Sequence, residues 1–315
     1  MIPIIDFDNA PVAQGVFYGG DAGAKEAIIY NDAVWMIKYP KTTRDLVNPQ
    51  ISYTTSPLSE YLGSKIYEIL GFPVHEVKLG TRKNKVVVAC KDFINRSAEY
   101  VPKLIHFHDL KNSFMSNDVD EYSGTGSETF LDEVLATIQG QNTLKSVDGV
   151  KERFWDMFVI DAFIGNNDRN NGNWGLVTSW GSNPITPKLA PVYDNGNAFF
   201  NKRSIKQMEK RLSDENAMRQ DAYQAPTCVY KYVDLDSGGH KINPFEFIQD
   251  GENDDCTWAV RRFLKIVDME KIAELINSIP KSTGNLSVMP SIQKEFYLEL
   301  LRIRLNKLKE AVSDA

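Results

Sequence analysis

The sequence predicts an α+β fold in two lobes, a small β-rich N-lobe over residues 1–93 and a larger, mostly helical C-lobe over 94–315, and three observations predict it. At 315 residues and 42% apolar composition the chain can build two lobes, each around its own core. Short alternating stretches joined by tight turns fill the first part of the chain, and helix-periodic stretches dominate the rest. Between them, residues 164–200 place an acid, Asp168, five positions ahead of an amide, Asn173. A two-strand excursion at 174–178 and 188–193 then delivers a second acid, Asp194, followed by Asn195-Gly196.

That order of acid, amide and acid is the phosphoryl-transfer layout of protein kinases. The chemistry explains the residue types. A triphosphate carries several negative charges that a divalent cation neutralises, and Mg²⁺ takes one or two protein oxygens beside water and phosphate. Asn173 and Asp194 offer an amide oxygen and a carboxylate as metal ligands without excess charge. Asp168 is left to face the acceptor hydroxyl as base, because positioning and electrostatics carry most of this chemistry. Asn, Asp and Gly would suit any tight turn between strands. The second acid after the hairpin selects the kinase layout, and with it ATP and Mg²⁺ as cofactors.

Composition narrows the partners. A net charge of −6 disfavours a nucleic-acid partner. Cys90, Cys228 and Cys256 have neither metal spacing nor a disulfide framework and read as reduced thiols. His75, His106, His108 and His240 form no ligand pattern; His106-x-His108 reads as a surface loop pair. The start, Met-Ile-Pro-Ile-Ile-Asp, lacks a basic region ahead of an apolar run, and no stretch is long enough to span a bilayer. The expectation is a cytoplasmic protein with no membrane partner.

Taken in order, the chain first shows a glycine-rich turn over 18–24 running into an apolar strand that ends at Tyr30. Glycines let backbone N–H groups approach phosphate closely, although a plain hairpin turn fits equally. Asn31-Asp32 makes a two-residue hairpin turn. Alternation then sets Val34, Met36 and Lys38 on one strand face and Trp35 and Ile37 on the other. Lys38 at the end of Ala-Val-Trp-Met-Ile-Lys copies the strand lysine that grips nucleotide phosphates, the alternative being a strand-end lysine reaching water. Ser56-Pro57 opens a helix as N-cap and first residue. Leu58, Leu62, Ile66 and Ile69 stripe it, and Gly71 with Pro73 ends it. Glu60, off that stripe, is the candidate partner of Lys38 or else a solvated glutamate. Strands at 76–80 and 85–93 follow, the second turning polar at Cys90-Lys91-Asp92, as a hinge or simply a buried strand reaching the surface.

Residues 112–128 read as a mobile acidic loop. A helix over 150–164 packs through Phe154, Met157, Phe158, Ile160 and Ala162 and supports the loop after it, with Asp161 as a brace or a polar-face residue. Residues 201–222 are charged and helix-prone, where a substrate-facing segment belongs. Tyr297, Leu301, Leu305, Leu308 and Val312 stripe a closing helix assigned to the core of the larger lobe.

These pieces resemble the HipA-like serine/threonine kinases over nearly the whole chain. The resemblance is carried by Gly-Asp-Ala-Gly-Ala-Lys-Glu at 20–26, Ile-Lys-Tyr-Pro at 37–40, Ser-Glu-Tyr-Leu at 59–62, Gly-Asn-Asn-Asp-Arg-Asn-Asn-Gly-Asn-Trp at 165–174 and Tyr-Asp-Asn-Gly at 193–196. A short form of the family also shares the Val-Val-Ala-Cys-Lys-Asp-Phe and Phe-Trp-Asp-Met-Phe blocks. The resemblance implies nucleotide binding by Gly20, Asp21, Ala22, Gly23, Ala24 and Lys25, with Lys38 held by Glu60. It implies an adenine-facing hinge at Ala89, Cys90, Lys91 and Asp92. It adds Asn170, Asn173, Tyr193 and Asp194 on the other side of the nucleotide, with Asp168 as base and Asn173 and Asp194 on Mg²⁺. Asn170 stands where the family often has a histidine. Some relatives silence themselves by phosphorylating a serine in the glycine-rich loop; residues 18–30 hold no Ser or Thr, so that switch is absent there. The family also implies toxin action on a protein substrate and leaves open a separately encoded antitoxin-like partner.

Two other classes compete. A phosphatidylinositol 4-kinase-like lipid kinase has similar Asp-Arg-Asn and Asp-Asn-Gly motifs, but the acidic charge, the lack of a cysteine cluster and the lack of a basic amphipathic segment speak against it. An ATP-binding pseudokinase scaffold would not need Lys38, Asp168, Asn173 and Asp194 together.

Overall fold

A computed structural model describes residues 1–19, 25–46, 50–94, 102–118, 125–179, 186–224, 228–233 and 239–313. Gly20, Asp21, Ala22, Gly23 and Ala24 lie outside the described residues. The chain folds into two compact units, the first made of 1–93, 194–222 and 266–305, the second of 94–193, 223–265 and 306–315.

The first unit is built on a five-stranded sheet. Its strands are β1 (Ile5–Asp6), β2 (Lys25–Tyr30), β3 (Ala33–Lys38), β4 (Val77–Arg82) and β5 (Lys85–Lys91), in the order β1-β4-β5-β3-β2. β1 runs parallel to β4 and every other pairing is antiparallel. Two hairpins turn on two residues with positive φ, Asn31-Asp32 at +47° and +56° and Lys83-Asn84 at +51° and +55°. Such turns match the right-handed twist of the strands they join. Strand alternation buries Trp35 and Ile37 with Phe7, Ile28, Val87 and Ala89 on one face. Gly80 is required where β1 crosses close, since a Cβ there would sit 2.3 Å from the Ile5 carbonyl oxygen.

Helix α1 (Ser56–Ile69) packs against β4 and β5. Its cap is Thr55 rather than Ser56, and no side chain caps it; Pro57 occupies the first turn, where a missing N–H costs nothing. Leu58, Leu62 and Ile66 are buried as their spacing requires, with Leu70 rather than Ile69 completing the buried face.

Segments 194–222 and 266–305 fold with this sheet and not with the helices of the second unit. Local causes are visible. The Thr55 amide donates to the Asn201 carbonyl at 2.8 Å, and the rings of Phe199 and Tyr297 meet at 4.9 Å. Arg304, fully buried, donates to the Ala222 carbonyl at 2.8 Å. The closing helix, Ser291–Glu310, therefore lies in the first unit as far as Leu305, and Val312 falls beyond its end.

The second unit centres on the helix Val150–Ile164, in which 11 of the 15 residues are buried, including all five residues expected to pack. A helix apolar on nearly all sides belongs at a core. A three-stranded antiparallel sheet, Pro102–His106, Gly175–Ser179 and Lys188–Leu189, lies in the same unit. The third strand stops well short of residue 193, because Pro191 has no N–H to continue the ladder. The loop expected over 112–128 is helical in its first half, within the helix Phe107–Asp118. Phe107 and Leu110 are buried, and the buried Lys111 pairs with Glu133 at 2.6 Å, so tertiary contacts override the turn-rich composition. No helix among the described residues is long and apolar enough to cross a membrane.

Candidate active site

In the first unit Lys38, at the end of β3, donates from Nζ to Glu60 Oε2 at 2.9 Å and to Asp194 Oδ1. Glu60 sits at the second turn of α1 and is fully buried; its other oxygen lies 3.1 Å from His75 Nε2. Burial by itself would lower the Lys38 pKa, but the Asp194 and Glu60 carboxylates outweigh it and hold the amine above its ordinary value. Burial would likewise raise Glu60, yet the Lys38 ammonium and His75 keep its carboxyl well below the usual range. Asp194 is also held low, burial being outweighed by Lys38. The three groups thus stay ionised at neutral pH. Asp194 adopts a left-handed φ of +58° and keeps 31% of its side chain exposed, so a ligand can reach it.

The remaining first-unit candidates are placed differently. Lys25 donates to the Gly19 carbonyl at 2.9 Å, and Asp92 accepts from the Tyr18 hydroxyl at 3.0 Å. Lys91 pairs with Glu76 at 3.2 Å. The backbone of Ala89 and Cys90 is engaged in the sheet, since β5 pairs with β3 on one side and β4 on the other. The Lys91 amide goes to the Glu76 carbonyl and the Asp92 amide to the Val34 carbonyl. The backbone of Ala89 and Cys90 is thus held within the sheet, and of the residues expected at the hinge Lys91 and Asp92 lie where β5 ends. Cys90 is a buried thiol whose pKa burial pushes up, so it is not a nucleophile.

In the second unit the helix Val150–Ile164 ends on Gly165 at φ +69°, which turns the chain into the loop carrying Asp168. Asp161 is the brace. Its carboxylate accepts from Arg169 Nε at 2.7 Å and Nη2 at 3.1 Å and from Asn166 Nδ2 at 3.1 Å. Arg169, 2% exposed, also donates to the carbonyls of Asn173, at 3.0 Å, and Tyr193. One guanidinium so fixes the loop and the residue that precedes Asp194. Asn171, fully buried, anchors the loop through the carbonyls of Gly126 and Glu128 at 2.9 and 2.8 Å. The ring of Trp174 stacks on Phe107 at 4.2 Å.

Asn170 donates to Asp168 Oδ1 at 2.9 Å and accepts the Gly172 amide at 2.9 Å, so it orients the acid. Asn173 donates from Nδ2 to the Asp168 carbonyl at 2.6 Å. Its Oδ1 accepts no hydrogen bond among the described residues, and that is the group a metal would take. An amide oxygen without a competing donor and a part-exposed carboxylate, Asp194, are the donor types that Mg²⁺ prefers. Tyr193 packs its hydroxyl at 2.9 Å from His106 Nδ1 and 3.2 Å from the Gly172 carbonyl, and turns its carbonyl to Arg169. His106 and His108 stack at 5.3 Å; His108 lies 3.0 Å from Asp109, so the pair is not a chelate in this arrangement.

Lys38, Glu60 and Asp194 thus come together in one unit, and Asp168, Asn170, Asn173 and Tyr193 in the other, the chain passing between units at the Tyr193–Asp194 peptide. Sequence reasoning missed His75, Asn195 and Arg169. Arg169 had a faint signal, the one cation of the loop 165–174, eight residues past a helix acid.

Comparison with known proteins places the chain in a family. The HipA-like C-terminal domain family matches residues 22–278. The serine/threonine-protein kinase CtkA of Helicobacter pylori strain J99 is 34% identical over 307 residues, covering 98% of this chain and 87% of the relative. The crystal structure of a Helicobacter pylori proinflammatory kinase CtkA superposes with a TM-score of 0.81 at 32% identity, covering 98% of this chain and 96% of that one. A HipA from Shewanella oneidensis MR-1, solved with HipB and operator DNA, matches at a TM-score of 0.48 and 13% identity over 98% of this chain and 67% of its own. With a family match over most of its length, a relative 34% identical over 98% of the chain and the kinase-like α+β fold of a solved structure, the chain belongs to the HipA-like family.

Proposed function

We propose that this protein is a serine/threonine protein kinase that transfers the γ-phosphate of ATP, with Mg²⁺, to a hydroxyl of a protein acceptor. The observation that carries the reading is Lys38 bonded at once to Glu60 and Asp194, a strand lysine aimed by a helix glutamate beside a metal-type carboxylate. Asn173 and Asp194 would hold Mg²⁺, which supplies charge neutralisation on the phosphates when bound. Lys38 leaves Asp194 to bind phosphate oxygens while Glu60 keeps it oriented. Asp168, steadied by Asn170, accepts the proton of the acceptor hydroxyl as its oxygen bonds to phosphorus and the bond to ADP breaks. Arg169 keeps the Asp168 loop and the Tyr193 carbonyl fixed, so that little reorganisation is needed during transfer. The three cysteines, free and buried, fit work in the cytoplasm.

The test is incubation with γ-labelled ATP and Mg²⁺ against generic protein acceptors and phosphoinositide vesicles in parallel. Label in protein is expected; label confined to lipid would turn the assignment to a lipid kinase.

A second expectation separates the two residues of the ion pair. Lys38→Ala should weaken transfer by about tenfold or more, the scale of a charge-assisted hydrogen bond, because Lys38 touches phosphate directly. Glu60→Ala should cost clearly less, since it acts only by aiming Lys38. Initial rates at saturating Mg-ATP decide this, and equal losses would show that the pair acts as one unit.

A further inference from the structure

We propose that His75 is a positioning residue that holds Glu60 and, through Ser64, Asn195, so that Lys38 and Asp194 are presented to the nucleotide together; this rests on the kinase reading above. The six residues form a closed circuit within the first unit. Lys38 occupies one oxygen of Glu60 at 2.9 Å, and His75 Nε2 lies 3.1 Å from the other. Ser64, one helical turn beyond Glu60, brings its Oγ to 3.2 Å from the same nitrogen. That Oγ accepts from Asn195 Nδ2 at 3.0 Å, and Asn195 is the residue after Asp194, which bonds back to Lys38. Glu60, Ser64 and Asn195 are fully buried and His75 is 3% exposed, so the bonds among these four are made away from water.

The chemistry fixes the direction of the bonds. An ionised carboxylate can only accept, so His75 Nε2 carries a proton and donates. Ser64 Oγ then serves as acceptor for both His75 and Asn195. Glu60 Oε1, without this donor, would be a buried charged oxygen with no partner, and the side chain would turn to find one, taking Lys38 with it. On the other arm, Asp194 holds a φ of +58° that a residue with a side chain keeps only when its surroundings determine it. The bond from Asn195 to Ser64 is one such constraint. A hydrocarbon of similar volume at 75 would fill the space and orient neither arm. His75 itself touches no reacting atom; it acts through Glu60 and Asn195.

The test is calorimetry with Mg-ADP on the full chain. His75→Phe should weaken binding about tenfold, the scale of a hydrogen bond to a charged group, and His75→Gln, which restores an N–H, should stay close to wild type. In a Glu60→Gln background the same His75→Phe change should add less than about twofold, because residues acting through one another are not additive. An unchanged affinity in folded His75→Phe, or an equal loss in both backgrounds, overturns the proposal. Failure of the wild type to bind Mg-ADP would instead sink the kinase reading. Should His75→Phe not fold, the ¹⁵N spectrum of the wild-type histidines decides: protonation at His75 Nε2 supports the circuit, and a proton on Nδ1 alone overturns it.

Discussion

Asp168→Asn should leave Mg-ATP binding close to intact and lower the rate of transfer by about 10²–10⁴-fold, the usual cost of losing a positioned base. Asp194→Ala should lose affinity and rate together. The two acids differ in what surrounds them. Asp168 is held by an amide, Asn170, in a loop fixed from behind by Arg169, and an asparagine of nearly the same shape disturbs neither. What it lacks is the basicity to take the acceptor proton. Asp194 faces a cation already, Lys38, and supplies the carboxylate to which a metal would bind. Removing it takes negative charge from where the phosphates and their cation meet, so binding itself fails. Calorimetry with Mg-ATP beside a coupled rate assay reads both. If Asp168→Asn loses nucleotide while Asp194→Ala keeps it, the two roles are reversed and the kinase layout of residues 164–200 is misassigned.

Arg169→Leu should destabilise the second unit by about 3–5 kcal/mol, the cost of stranding one member of a buried ion pair. The side chains of Arg169 and Asp161 are 3% and 7% exposed, so water cannot take the place of the missing guanidinium. Asp161 would keep the Asn166 amide but lose both guanidinium donors, and the carbonyls of Asn173 and Tyr193 would each lose one. Pairing the change with Asp161→Leu should recover part of the loss, because two apolar groups leave no charge behind. Urea denaturation of the single and double variants measures this. A shift within about 0.5 kcal/mol, as for an exposed site, would show that the pair is not structural.

Much of the local structure was legible because it rests on local rules. Asn31-Asp32 suits the positive φ of a tight hairpin, alternation set Trp35 and Ile37 on the face opposite Lys38, and the apolar run of 150–164 gave the central helix with its bounds. A strand lysine and an off-stripe helix acid left Glu60 either as the partner of Lys38 or as a solvated glutamate, and the structure pairs them. What escaped depends on contacts distant in sequence. Nothing around His75 marks it as the partner of an acid fifteen residues earlier and, through Ser64, of an amide beyond residue 190. The same holds for the segments 194–222 and 266–305, whose place with the first unit is set by pairs such as Thr55 with Asn201 and Phe199 with Tyr297. The strand at 85–91 shows a further limit: its turning polar says where it nears the surface, not that Ala89 and Cys90 pair with neighbours on both sides.

The most direct test of the central claim is phosphopeptide mapping of the wild-type chain and Asp168→Asn after incubation with Mg-ATP. Slow self-phosphorylation on serine or threonine is expected in the wild type, outside residues 18–30, where no hydroxyl of that kind exists, and none above background in Asp168→Asn. Equal modification of both chains, or no phosphate on protein while phosphoinositide vesicles are labelled strongly, would contradict it.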